Sequence, residues 1–208
     1  MDKTKLSGDD LPESAITGNG HGSGLSPDQD GSFSAARLGM WLAVGALSMV
    51  FAALAVAYVA RLHDKPNFFF EAPSSLWAST VILVFSSFTL HLSVAAIGKG
   101  EQKRFRQFLA ITVVLGWLFI VSQLFAWFQL MRSGFYAQTN PFSGFFYILT
   151  FVHAAHLIVG IVWISYLHRI AVANVFTAKR HLAVDLGALY WHFVDVAWIV
   201  LFVLLMFF

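Results

Sequence analysis

Cysteine is absent from this 208-residue chain. That excludes a disulfide framework, a thiolate-ligated metal and a thioether-attached haem. Charge is scarce too: Asp, Glu, Lys and Arg make up 12% of the chain, against roughly 25% in a soluble globular domain. Hydrophobic residues make up 58%, and the mean hydropathy is +0.71. So few charged side chains cannot coat a water-facing surface, and most of this chain must be solvated by lipid. The net charge is only +2. The basic residues sit in short segments rather than one patch, so nucleic acid is not an expected partner. Proline is confined to loops and the N-terminal tail, which argues against the broken helices of solute carriers.

Five apolar segments are present, each about the 20 residues needed to cross a 30 Å hydrocarbon core. They run over roughly 38–60, 75–98, 107–131, 143–168 and 182–207. The expected fold is an all-α integral membrane protein, a bundle of five transmembrane helices spanning 37–208. Ahead of it, residues 1–36 are rich in Gly, Ser, Asp and Pro and read as a flexible polar tail. The tail lacks the apolar core of a secretory signal, and its His21, between glycines, reads as a solvated side chain. No internal repeat relates the five segments. The loop "HRIAVANVFTAKRH" is the least certain boundary, since part of it could lie on the membrane surface. "NFFFEAP" in the first loop reads as an aromatic interfacial anchor or a docking surface. Ten of the 13 Lys and Arg lie ahead of the first span, Arg37 included, or in the second and fourth loops. This bias places the N-terminus in the cytoplasm and the C-terminus outside.

Four histidines and one carboxylate lie deep within these spans: His91, His153, His156, His192 and Asp195. A carboxylate at a helix centre costs about 2.5–3.5 kcal/mol on insertion scales, so Asp195 requires an explanation. Spacings of three put His153 and His156 on one helix face, and likewise His192 and Asp195. Gly160 extends the first stripe, where a glycine admits a neighbouring backbone, and Asp185 extends the second. At about 1.5 Å per residue, His156 and Asp195 both fall near mid-membrane. The expectation is that they meet, and that Asp195 is a hydrogen-bonding and packing device between the last two helices.

Other chemistries compete. A bis-histidine haem b needs two histidines at matching depth on facing helices, with Gly or Ala making room, and His91 and His192 sit at similar depth. A di-metal carboxylate site needs several acids in the core, where only Asp195 lies deep. A proton or solute pathway needs further carboxylates.

"SGFFYILTFVHAAHLIVGI" (143–161) and "LYWHFVDVAWIVLF" (189–202) together resemble subunit III of haem-copper terminal oxidases. That family has a G-F-[FY]-x-x-T-x-x-H-x-x-H-[LV]-x-x-G element in one span and Y-W-H-F-V-D-V-x-W in the last. "LGMWL" at 38–42, "SSFTLHL" at 86–92, and Gln123 with Trp127 add weaker support. The chain looks like the five-helix form, in which the first two of seven helices are absent.

The resemblance implies a non-catalytic subunit of a proton-pumping oxidase in the bacterial plasma membrane. It would hold no haem or copper itself; those belong to catalytic subunit I and to subunit II, beside which it packs with other small subunits. Bound phospholipid and support for sustained turnover and proton uptake are also implied. His91, His153, His156, His192 and Asp195 would be polar members of the bundle interior or lipid cleft. The family's first-span glutamate is replaced by Leu47, and its third-span acid by Ala126, so a proton-handling role for those carboxylates does not carry over. An accessory subunit of a nitric oxide reductase complex and a histidine-ligated b-type cytochrome stand as alternatives.

Overall fold

In a computed structural model, the chain is described over residues 27–62, 74–134, 141–173, 176 and 181–207, with side chains over 34–60, 74–134, 144–173, 176 and 181–206. All regular structure is helical: α1 (Pro27–Leu62), α2 (Ser74–Gly98), α3 (Gln102–Arg132), α4 (Pro141–Val172) and α5 (Leu182–Phe207). All five are long and apolar enough to cross a membrane. Their bounds match the expected spans to within a few residues except at the start. There α1 begins at Pro27, so 27–36 are helical rather than part of a flexible tail. Proline suits the first helical position, where its missing N–H costs nothing. The phenylalanine run of the first loop, the tail through residue 26 and most of the fourth loop lie outside the described residues.

The most extensive interface joins α2 to α3, and a seven-residue pattern explains it. Buried positions on α2 are Leu76, Ser79, Leu83, Ser86, Leu90, Ser93 and Ile97. These alternate by three and four, as in the seam of a coiled coil. The facing set on α3 is Phe105, Leu109, Thr112, Gly116, Phe119, Gln123, Ala126 and Leu130. Lipid offers no hydrophobic drive between helices, so close van der Waals contact through small residues must bind them. Serine supplies that on α2; Thr112, Gly116 and Ala126 supply it on α3. Hydrogen bonds run along the seam: Thr89 with Thr112 at 2.8 Å, Ser93 Oγ to the Phe105 carbonyl at 3.1 Å and Ser75 Oγ to Gln129 Oε1 at 2.8 Å.

The α2–α3 turn is closed by a Schellman motif. Glu101 N–H donates to the Ala96 carbonyl at 2.9 Å and Gly100 N–H to that of Ile97 at 3.0 Å. Gly100 takes the left-handed conformation this requires, at φ 76°.

The helices α2, α3, α4 and α5 close a ring, and α1 lies outside it against α4 and α5 only. Its inward side chains are Met40, Val44, Phe51 and Tyr58. The ring is held at its centre by Trp191, which is fully buried. Its indole fills a notch between Gly116 and Gly160: a Cβ on Gly116 would stand 2.9 Å from the ring, and one on Gly160 would stand 3.1 Å away. Thus Gly160 admits an aromatic ring from α5, where close backbone approach was expected.

Methyl groups in these notches would force a rigid ring to move, which costs about 1–3 kcal/mol in a packed core. Gly116→Ala and Gly160→Ala should therefore lower the melting temperature in detergent, followed by tryptophan fluorescence. Gly45→Ala, where a Cβ meets nothing within 4 Å, should not. Equal melting of all three would contradict the packing described.

Candidate functional site

The site expected from sequence joins His153, His156, His192, Asp195 and His91. Within the fold these residues separate into three environments.

His153 is in the centre of α4 and fully buried. Its ring lies 4.9 Å from that of Trp198 at 34°, and Phe119 and Phe51 present their rings at 6.1 and 6.2 Å. Neither ring nitrogen has a hydrogen-bond partner. It serves as an aromatic member of a stack joining α1, α3, α4 and α5.

His156 was expected to pair with Asp195, and the structure corrects this. Its Nδ1 lies 2.7 Å from the carbonyl of Val152, one turn back on its own helix. A carbonyl only accepts, so Nδ1 carries the proton. The bond from α5 to this part of α4 comes from Tyr190, whose O–H donates to the His156 backbone carbonyl at 3.0 Å.

His192 and Asp195 do share a face of α5, as their spacing predicts, but it abuts α2 rather than α4. The Ser87 hydroxyl lies 2.6 Å from His192 Nδ1 and adjoins Asp195. Asp195 is 4% exposed, and neither carboxylate oxygen has a hydrogen-bond partner among the described residues. No ion pair among the described residues includes it. The reason is rotational: Tyr190 and Trp191 already occupy the flank of α5 that meets α4, at Gly160 and His156. Asp185, further along towards the N-terminus, is half-exposed in the first turn of α5, 3.7 Å from His181 Nε2.

His91 departs from expectation most. It is exposed on the outer side of α2, not in the bundle interior. It remains within electrostatic reach of His192. The two imidazoles do not face each other across an interior slot of the kind a bis-histidine haem needs. The space opened by interior glycines, which such a haem would require, is filled by Trp191, Tyr190 and Leu167. Among the described residues there is no group of three or more His, Cys, Asp or Glu that could hold a metal ion. Leu47, where the resemblance leads one to look for glutamate, is half-buried on α1, and Ala126 is fully buried on the α2–α3 seam.

Sequence reasoning overlooked the serine and threonine acceptors of α2. Trp191 Nε1 donates to Ser86 Oγ at 3.1 Å and Trp198 Nε1 to Thr80 Oγ1 at 3.0 Å, so two indoles seven residues apart fasten α5 to α2. On the far side of the ring, Trp127 Nε1 reaches Thr150 Oγ1 at 3.2 Å. The recurrence of Ser79, Ser86 and Ser93 at sevens was the available signal. Gln123, 2% exposed with neither amide atom bonded, was likewise passed over as an interior polar group.

Asp195→Asn keeps the side chain's shape and a polar end, whereas Asp195→Ala removes both and leaves Ser87 one neighbour fewer. Emptying the space of a buried carboxyl group in a packed core costs about 1–3 kcal/mol. Asp195→Asn should therefore accumulate in membranes like the parent chain, and Asp195→Ala should accumulate less and melt earlier. Equal loss in both variants would show that the carboxylate itself is required.

With this geometry in view, comparison with known proteins gives a single answer. A model of the family described as cytochrome c oxidase subunit III matches residues 70–208. The subunit 3 of cytochrome c oxidase from Synechocystis sp. is 32% identical over 98% of this chain and 86% of its own length. That from a Bacillus species is 30% identical over 79% of this chain and 82% of its own. Subunit 3 of the cytochrome bo(3) ubiquinol oxidase of Buchnera aphidicola is 29% identical over 82% of this chain and 90% of its own. The chain belongs to the cytochrome c oxidase subunit III family.

Proposed function

We propose that the chain is a non-catalytic subunit of a proton-pumping haem-copper oxidase in the bacterial plasma membrane. It lies beside catalytic subunit I, with subunit II and other small subunits completing the complex. Haem and copper reside in those partners, phospholipid binds along its surface, and its presence supports sustained turnover and proton uptake. The family match is the observation on which this rests. The packing supports it: the interior of the α2–α5 ring is filled by indole and phenyl rings seated against glycines. The side chains that could act as acids or bases are distributed among separate environments.

The same proposal includes an orientation. Lys99, Lys103, Arg104 and Arg106 cluster where α2 turns into α3, at the end of the bundle where α4 finishes with Arg169. This basic end faces the cytoplasm, which places the N-terminus inside and the C-terminus outside.

Two experiments test this. Affinity purification through a tag on this chain in mild detergent should recover a haem-bearing oxidase subunit in fixed ratio. The chain expressed alone should give a flat reduced-minus-oxidised spectrum. Recovery without any haem-copper subunit, or a haem α-band from the isolated chain, would defeat the proposal. For orientation, the cysteine-free chain permits single-cysteine labelling: Lys99→Cys should react with an impermeant maleimide only from the cytoplasmic side and Ser133→Cys only from the opposite side. The reverse pattern would overturn the orientation and leave the subunit assignment intact.

A further inference from the structure

Among the described residues one face of α2 is left uncovered, because α1 packs on α4 and α5 and does not reach it. Trp77, Val84 and His91 recur at sevens on that face, with Val81 and Phe88 between them, and all five are exposed. Beside the first of these a groove of about 240 Å³ opens, lined by Trp77, Thr80, Val81, Val84 and Phe85. The wall is apolar almost throughout. At the other end of the stripe stands His91, seven residues before Gly98 at the end of α2. That is about 10 Å along the helix from its end, within the span.

An imidazole facing acyl chains would have no hydrogen-bond partner, and polar groups within membrane spans almost always face protein. His91 makes no hydrogen bond among the described residues. Its neighbour His192 is already held by Ser87. A phospholipid would keep its polar atoms at headgroup level and present hydrocarbon to the stripe. A second copy of this chain, related by a two-fold axis, would set one imidazole patch against another. A different helix with an apolar flank for the groove and an acceptor at the depth of His91 fits both halves of the surface. An imidazole N–H is complementary to a carboxylate or an amide carbonyl.

We propose that this face of α2 is the contact with a transmembrane helix of a partner oxidase subunit, which presents a hydrogen-bond acceptor to His91. This rests on the subunit assignment above and specifies the surface that assignment leaves open. The test uses the native complex, with a benzophenone amino acid in place of Val84 or Phe88 and, as a control, in place of Leu118 or Val121 on the exposed face of α3. Irradiation should join the α2 positions to another polypeptide of the complex and leave the α3 positions without that adduct. His91→Ala should raise dissociation of this chain during detergent washing roughly threefold, the scale of one lost interhelical hydrogen bond in a membrane, and His91→Gln should restore retention in part. Being exposed, His91 can be replaced without disturbing the fold. Adducts from α2 to phospholipid alone, to a second copy, or equal capture from α3 would overturn the proposal, as would unchanged retention of His91→Ala. In those cases co-purification with the oxidase still upholds the subunit assignment. A chain that purifies alone defeats both.

Discussion

Everything in this bundle is arranged around the Trp191 indole. One side chain from α5 touches Gly116 on α3 and Gly160 on α4, and donates a hydrogen bond to Ser86 on α2. It thereby fixes the rotation of four helices at once. The hydrogen bond is the smaller part: interhelical bonds in membranes are worth about 0.6 kcal/mol on average. Burying an aromatic ring is worth several times that, as the cost of about 3–5 kcal/mol for deleting one from a core indicates. The glycines are therefore better understood as the mould for the indole than as sites of backbone contact. Ser86 orients the ring within that mould.

The same division of labour recurs one heptad along. Trp198 donates to Thr80, and its faces and edges meet His153, Phe119 and Phe202. In water such a core would form by expulsion of solvent; in lipid the competing contact is equally apolar, and only shape and polar matching discriminate. That accounts for the unusual seam of α2, where every second core position is serine. Each serine is slim enough to let α3 or α5 approach. Each also carries a hydroxyl that its own helix satisfies, as Ser79 does with the Leu76 carbonyl at 2.9 Å, or that a neighbour uses.

The number of spans and nearly all their limits were legible in the sequence, because hydropathy over twenty residues depends on little beyond composition. Helix faces were legible in part. His192 and Asp195 do share a side, since the 3.6-residue period alone decides that. Which neighbour that side meets depends on the rotation of α5, and Trp191 and Tyr190 set this by claiming the flank towards α4. No spacing rule along one helix contains that information, so the pairing of His156 with Asp195 failed while its premise of shared depth was reasonable. His91 misled for a related reason: membership in a span says nothing about which way a residue turns. The start of α1 at Pro27 had a local signal, a proline followed by acids, which the polar composition of the surrounding tail obscured.

Leu47 and Ala126, where the resemblance implies carboxylates, sit in surroundings of the same kind. Ala126 is fully buried at a seam position between α2 and α3, where its small size lets the helices meet. A glutamate there would require both a hydrogen-bond partner and room, and the seam as built supplies neither the volume nor an adjacent cation. Leu47 lies half-buried on α1, the helix with the fewest contacts to the rest of the bundle. Hydroxyls apart, the polar side chains buried among the described residues are Gln123, His153 and Asp195, one each on α3, α4 and α5. A protein that had only to hold its helices together could have replaced these with leucine, since buried polar groups seldom add net stability over a well-packed apolar core. Their presence in a bundle whose helix packing already comes from indoles and glycines is therefore not accounted for by packing stability alone.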